Sequence, residues 1–233
     1  MSHQVTHYTV RSEKIPRPLT LAVASDLHNG PFDWALPALA SVDAILIPGD
    51  LVNRHRRGYD LAVRFLKEAP AIAPTFYSIG NHERRFRQLD EYWPHVLSSD
   101  VILLDNRWVR FEGIVLGGLS SWIRSEPDCA FLPDMAAQPG FRLLMCHHPE
   151  YYDHYVRPHG FDLTLSGHAH GGQVQLLGRG LYSPGQGLMP TLTHGFYDDG
   201  RLLVSRGMYN SARAPRINNP CELLLLHLAP KED

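Results

Sequence analysis

The 233-residue sequence predicts a layered α/β protein with mixed β-sheets. Three observations carry that expectation. Short apolar segments run repeatedly into polar motifs that contain glycine, aspartate or histidine. Strand and helix patterns alternate through the first half of the chain. The second half is richer in strand patterns than in helical ones.

In order along the chain, LTLAVASD at 19–26 reads as a buried strand, and ALPALASV at 35–42 as a helix after it. DAILIPGD at 43–50 is a second strand. YDLAVRFLKEA at 59–69 has helical spacing. TFYSIGNHE at 75–83 is a third strand, with a helix expected over 84–97. VILLD, WVRFEG and IVLGGLS follow in quick succession between 101 and 120. FRLLMCHHP at 141–149 and FDLTLSGHAH at 161–170 come next. GQVQLL, GRLLVSRG and CELLLLHL complete the strand set. No internal repeat, low-complexity tract or linker interrupts the pattern.

Composition excludes several classes. The chain is 44% hydrophobic and 20% charged, which fits a packed globular protein and argues against disorder. A net charge of −2 gives no general basicity, so no nucleic-acid partner is expected. No apolar run approaches the roughly 18 residues of a membrane span. The first nineteen residues lack the apolar core of a signal peptide. The three cysteines, Cys129, Cys146 and Cys221, form neither a disulfide framework nor a C-x-x-C site, so a cytoplasmic location is expected.

Five of the expected strands end in SDLH, PGD, GNHE, CHHP and SGHAH. In layered α/β proteins, sites form where loops leave the carboxyl ends of strands. The candidates are Asp26, His28, Asp50, Asn81, His82, His147, His168 and His170. All offer oxygen or imidazole nitrogen and none a thiolate, a donor set suited to Mn, Fe or Zn. If the segments stay extended, Asp26 with His28, and His168 with His170, point to one side about 6.5–7 Å apart. Two-metal hydrolytic sites hold their ions about 3.5–4 Å apart, and a carboxylate must then bridge them. Asp50, at a strand end after glycine, is the natural bridge. Two dications outweigh two carboxylates, which leaves a positive centre for an anionic phosphoester and for metal-bound hydroxide.

Together, D26-L-H28, G49-D50, G80-N81-H82-E83, His147 before His-Pro, and G167-H168-A-H170 resemble the calcineurin-like metallophosphoesterases. The resemblance covers roughly 21–170, with its motifs in order. It implies a four-layer sandwich of two mixed β-sheets flanked by helices, and a single phosphoesterase domain over 1–233. It implies two divalent cations, with Mn favoured and Fe or Zn as alternatives. One cation would sit on Asp26, His28, Asp50 and His170, the other on Asp50, Asn81, His147 and His168. His82 would be a catalytic, non-ligand histidine that binds phosphate and protonates the leaving group. The tail, from GHAHGGQVQL to RGMYNSARAPRINNPCELLLLHL, resembles a bacterial membrane-associated subfamily of phosphodiesterases and UDP-diacylglucosamine pyrophosphatases. The N-terminal anchor of those relatives is not expected here. Peripheral membrane contact stays open through the loops at 30–37 and 185–190.

Other residues admit two readings. His147 and His148 are neighbours on a strand and face opposite ways, and the family pattern selects His147. Glu83 either orients a ligand or opens a helix, where a carboxylate is favourable, and the helix reading is preferred. The arginine clusters at 53–58 and 83–87 are either solvated faces or, because cations at a helix start oppose its dipole, a sign that Arg54 and Arg84 or Arg85 meet substrate. Arg206, Tyr209 and Asn210 are further pocket candidates, against a turn between the last strands. Gly171 and Gly172 would admit close backbone approach and leave room for substrate.

The expected function is a dinuclear-metal phosphoesterase that cleaves a phosphodiester or pyrophosphate bond of a small molecule by metal-bound hydroxide attack. A phosphomonoesterase of the same superfamily is the alternative. A non-catalytic binding scaffold with a vestigial metal site is the alternative of another class.

Overall fold

A computed structural model describes residues 2–122, 126–212 and 215–231. Strands β1 (His3–Arg11), β2 (Leu19–Val23), β3 (Ala44–Ile47), β4 (Thr75–Tyr77) and β5 (Ile102–Leu103) belong to a first sheet. Strands β6 (Arg107–Phe111), β7 (Ile114–Leu119), β8 (Arg142–Cys146) and β9 (Leu163–Ser166) begin a second sheet. Four short strands, β10 (Gln175–Leu176), β11 (Arg179–Gly180), β12 (Tyr182–Ser183) and β13 (Gly187–Leu188), make two hairpins. Strands β14 (Gly195–Tyr197) and β15 (Leu202–Val204) return to the second sheet, and β16 (Cys221–Ala229) completes the first.

The orders are β1-β16-β2-β3-β4-β5 and β14-β15-β9-β8-β7-β6. In the first sheet β2 to β5 are parallel and β16 opposes β2. In the second, β7, β8, β9 and β15 are parallel, with antiparallel edges β6 and β14. Both sheets are therefore mixed.

Period-2 alternation sorts the apolar runs between layers. Leu21, Val23, Ala44, Leu46, Leu224 and Leu226 pack between the sheets, together with Leu143 and Met145. Their sequence neighbours Ala22, Ile45, Ile47, Leu223 and Leu225 turn outward onto helical elements. On the second sheet, Leu144 and Cys146 face a third cluster with Leu132 and Met135. Both faces of the central strands are covered, so these strands read as unbroken hydrophobic runs. Helix, sheet, sheet and helix form the four expected layers.

Helix α1 (Leu36–Leu39) is shorter than the 35–42 pattern, with a 3₁₀ turn before it. Helix α2 (Asp60–Ile72) buries Ala62, Phe65, Leu66 and Ala69, the i, i+3, i+4, i+7 stripe of an amphipathic helix. It continues beyond 69 through Pro70. The helix expected over 84–97 is instead two: α3 (Asn81–Arg84) and α4 (Leu89–Leu97). The break lets Phe86 turn into the core. GQVQLL forms only β10 within a hairpin, and α5 (Leu132–Ala136) has no counterpart in the sequence pattern. Nor does β1, whose residues alternate between exposed and half-buried and show no apolar pattern.

The turn expected over 204–216 includes residues 213 and 214, which lie outside the described residues. Among the described residues no helix is long and apolar enough to cross a membrane. Of the two apolar loops, 30–37 is packed: Phe32 is buried and Trp34 stacks on His3.

Candidate metal centre

Loops from the two sheets are laced together at the carboxyl ends of their parallel strands. Asp26 N–H donates to Gly49 O at 3.1 Å, and His28 N–H donates to Asp50 O at 2.9 Å. Across the sheets, the His168 N–H reaches both carboxylate oxygens of Asp26 at 3.2 Å. The candidates thus converge from β2, β3, β4, β8 and β9.

The route of convergence differs from the extended geometry expected. Asp26, His28, Asp50, His168 and His170 all have positive φ, between 48° and 64°. Left-handed backbone at non-glycine residues is uncommon, though Asn, Asp and His tolerate it best. Sharp turns at the strand ends aim these side chains, so period-2 alternation is not the cause.

The donor atoms face one another. His28 Nε2 lies 3.3 Å from His170 Nε2. Asp26 Oδ1 is 3.6 Å from the first and 3.7 Å from the second. Asp50 Oδ2 is 3.1 Å from His147 Nε2 and 3.9 Å from His28 Nε2. Asp26, His28 and His170 form one buried group with metal-ligand spacing, and Asp50, His147 and His168 form another.

This cluster fits divalent cations on its own chemistry. Asp50 Oδ2, Asn81 Oδ1 and both ring nitrogens of His147 are buried without a hydrogen-bond partner. The 3.1 Å approach of His147 to Asp50 lacks hydrogen-bond geometry. A carbonyl only accepts, so His28 Nδ1 donates to Val52 O at 3.2 Å, and Nε2 keeps its lone pair. That lone pair aims at a carboxylate and a second imidazole. Buried polar atoms so arranged are costly unless something positive joins them.

Protonation follows the same field. Burial opposes ionisation of Asp26, but His170, His28 and His147 hold its carboxyl well below the usual range. Asp50 is also buried and also held low, by His147, His82 and His28. Burial would lower His147, yet Asp50 and Asp26 push it up to about 9. Burial takes His170, His82 and His148 down to about 3 and lowers His168 as well. Those four imidazoles are neutral at neutral pH, the form in which His168 and His170 could take a cation.

His82 differs from the others. Its Nδ1 accepts the Arg54 backbone N–H at 3.2 Å, so Nε2 carries the hydrogen, 3.9 Å from Asp50 Oδ2. It presents an N–H to the centre. His147 and His148 diverge, with rings at 89°. His148 Nδ1 pairs with Ser121 Oγ at 2.8 Å, and its ring stacks on Tyr151.

Glu83 does more than open a helix. It caps α3 from its third position, because Oε2 accepts the Gly80 N–H at 2.8 Å. The same carboxylate accepts the N–H of Asp50 at 3.0 Å and of Val52 at 3.2 Å. It therefore fastens the Asp50 loop rather than a ligand histidine. The i, i+3 spacing of Gly80 and Glu83 signals the cap, while nothing in the sequence signals the second loop.

Arg216 carries no sequence signal either. It is half-buried, with Nη2 3.0 Å from His170 Nδ1, and it donates to Tyr209 O at 3.0 Å. Asn219 Nδ2 donates to His170 O at 2.8 Å. The C-terminal loop thus backs the GHAH turn. Glycine at 171 and 172 serves this packing: a Cβ on Gly171 would strike Asn219, and one on Gly172 would strike Gly180. The space freed there is filled by the chain itself, not left for substrate.

A cleft of about 310 Å³ adjoins the cluster, lined by Asn81, His168, Arg54, Arg85, Trp122 and Tyr151, with His148, Glu150, Pro184 and Gly185. Arg84, a candidate for substrate contact, is turned away from this cleft. It pairs with Asp105 at 3.0 Å and donates to Ser121 O, because adjacent residues on a helical turn diverge. Arg206 is likewise engaged elsewhere, with Asn219 and Glu222. Tyr209 packs on Gly30, and its N–H donates to Asp26 O, so it supports the Asp26 loop. Asn210 is buried nearby.

The chain resembles known proteins along most of its length. It is 27% identical over 242 residues to an uncharacterized metallophosphoesterase of Helicobacter pylori, covering 94% of this chain and 62% of that one. It is 28% identical over 249 residues to an uncharacterized metallophosphoesterase of Campylobacter jejuni, covering 98% and 64%. The chain therefore spans less than two thirds of the length of these relatives. A crystal structure from Thermus thermophilus aligns with a TM-score of 0.44 at 18% identity, covering 64% of this chain and 81% of that one. The family model for calcineurin-like phosphoesterases matches residues 19–172, which carry all five strand-end motifs. The chain belongs to the calcineurin-like phosphoesterase family.

Proposed function

We propose that the chain is a phosphoric ester hydrolase that works with two divalent cations. The observation that carries this reading is Asp50 Oδ2. It is buried without a hydrogen bond, 3.1 Å from His147 and 3.9 Å from both His28 and His82. That oxygen stands where the donors of the two groups meet, and a carboxylate is the side chain able to serve two cations.

Asp26, His28, Asp50 and His170 would hold one cation, and Asp50, Asn81, His147 and His168 the other. When bound, such ions acidify water and neutralise charge on a phosphoryl group. The remaining work falls to this chain. Asn81 and Arg54, which both line the cleft, orient the anion. His82 presents its Nε2–H to the phosphoryl and departing oxygens, a hydrogen bond that strengthens as charge develops there. Glu83 keeps the Asp50 and Gly80 loops in register.

Similarity of the tail to phosphodiesterases and pyrophosphatases supports a diester or pyrophosphate bond over a monoester. The donor chemistry suits Mn, Fe and Zn alike, and the resemblance to bacterial relatives favours Mn. Metal analysis together with turnover of an aryl monoester, an aryl diester and a nucleotide pyrophosphate, with each metal, tests bond and cofactor at once. A protein that binds about two metals per chain and cleaves none of the three would overturn the hydrolase reading in favour of a binding scaffold. Peripheral membrane contact is supported by Leu177, Leu188 and Met189, which stand exposed on the hairpins. Sedimentation with anionic vesicles tests it.

A further inference from the structure

The cleft beside the cluster has walls of different chemistry. Asn81 and His168 line it at the metal-donor side, Arg54 and Arg85 add cationic groups, and Trp122 and Tyr151 add aromatic ones. Trp122 is 43% exposed.

Its ring and its backbone each have a neighbour. The Arg84 guanidinium lies 5.1 Å over the ring, and Asp105 and Ser121 O fix that guanidinium in turn. Tyr151 Oη donates to Trp122 O at 2.8 Å, while the Tyr151 ring stacks on His148 at 4.8 Å and 26°. Arg84 lines a separate cavity, with Asp105 and Trp93. A cation therefore lies against the indole of a residue that also lines the cleft. An aromatic ring beside a cation is a surface on which a planar group can stack.

We propose that Trp122 is a stacking platform that selects phosphoesters bearing a planar ring of nucleobase type, with Arg54 beside the phosphate. The proposal rests on the hydrolase reading of the same cleft and names the kind of group attached to the phosphorus. Stacking needs no base-specific hydrogen bonds, so the platform selects a planar ring without choosing among bases.

Calorimetric titration of the Mn-loaded protein with thymidine 5′-monophosphate and with 2-deoxyribose 5-phosphate isolates the ring, because the nucleotide adds the base to the same sugar phosphate. The nucleotide is expected to bind about tenfold more tightly, a typical stacking contribution. Trp122→Ala is expected to bring that ratio close to one, and Trp122→Phe to keep most of it. Equal binding of the two ligands by the unaltered protein, or a ratio that survives in Trp122→Ala, would overturn the proposal. Turnover of an aryl diester separates the two readings. If the diester is cleaved but the binding ratio is one, the platform alone is wrong. If nothing is cleaved but the ratio depends on Trp122, the platform stands and the hydrolase reading is wrong.

Discussion

Glu83 accepts the backbone N–H of Asp50 at 3.0 Å, so a carboxylate from one metal-motif loop sets the position of the central carboxylate in another. Burial and the charge of Asp50 raise the pKa of Glu83, while the N–H groups of Val52 and Asp50 act against that rise. Glu83→Ala leaves the N–H groups of Asp50, Val52 and Gly80 without an acceptor in the protein interior. At about 1 kcal/mol or more for each, a loss of roughly 3 kcal/mol is expected. Urea denaturation measures it, and a change below about 1 kcal/mol would show that other groups take over.

Asp50→Asn tests the bridging role directly. The amide keeps the size of the side chain and the hydrogen bond from His82 N–H to Oδ1, but removes the charge. Altering groups behind metal ligands already costs about 10–100-fold in affinity or activity. A direct ligand should exceed that, so turnover is expected to fall by more than about a hundredfold, with loss of one or both metals. Full metal content with full turnover in this variant would refute the assignment.

The raised pKa of His147 predicts that metal binding depends on pH. Its folded value of about 9 lies above the roughly 6.5 of an unfolded histidine. In the metal-free protein its pairing with Asp50 therefore stabilises the fold fully below about pH 6.5, and that contribution disappears as pH rises through about 9. A cation must displace the same proton. Metal affinity is expected to rise with pH up to about 9, with a proton released from His147 on binding at about pH 7.5. Calorimetry in buffers of different ionisation enthalpy counts it, and no proton release would contradict the His147 assignment.

Asp162 joins the two sheets at the opposite end of the strands. It accepts the Arg142 N–H at 2.9 Å, Arg142 Nε at 3.0 Å and Lys14 Nζ at 2.7 Å. Burial would raise its pKa, but Lys14 and Arg142 outweigh burial and lower it. A depressed carboxylate contributes stability above its unfolded value of about 3.9 and loses it as pH falls through the folded value. Asp162→Asn is expected to cost about 1.5–3 kcal/mol at neutral pH. The difference from the unaltered protein should shrink below about pH 4. A pH-independent difference in thermal denaturation would rule out the charge as its source.

Chain order and residue type determined much of this protein in advance. The apolar runs of β2, β3, β8, β9 and β16 specify buried strands, because burial on both faces leaves no polar alternation to obscure them. The donors from Asp26 to His170 are legible because each stands where such a strand stops. The Arg84 and Arg85 pair, Glu83 and Arg216 are not legible in that way. A one-residue step around a helical turn sends Arg85 to the cleft and Arg84 to Asp105. Glu83 reaches a loop more than thirty residues earlier, and Arg216 a histidine forty-six residues earlier. Strand β1 stays hidden because its pairing with β16 rests on backbone hydrogen bonds, which any side-chain pattern permits. Composition and spacing determined which atoms could bind a cation. Tertiary structure decided how they meet: left-handed turns at Asp26, His28, Asp50, His168 and His170 bring two carboxylates and three imidazoles together in the interior.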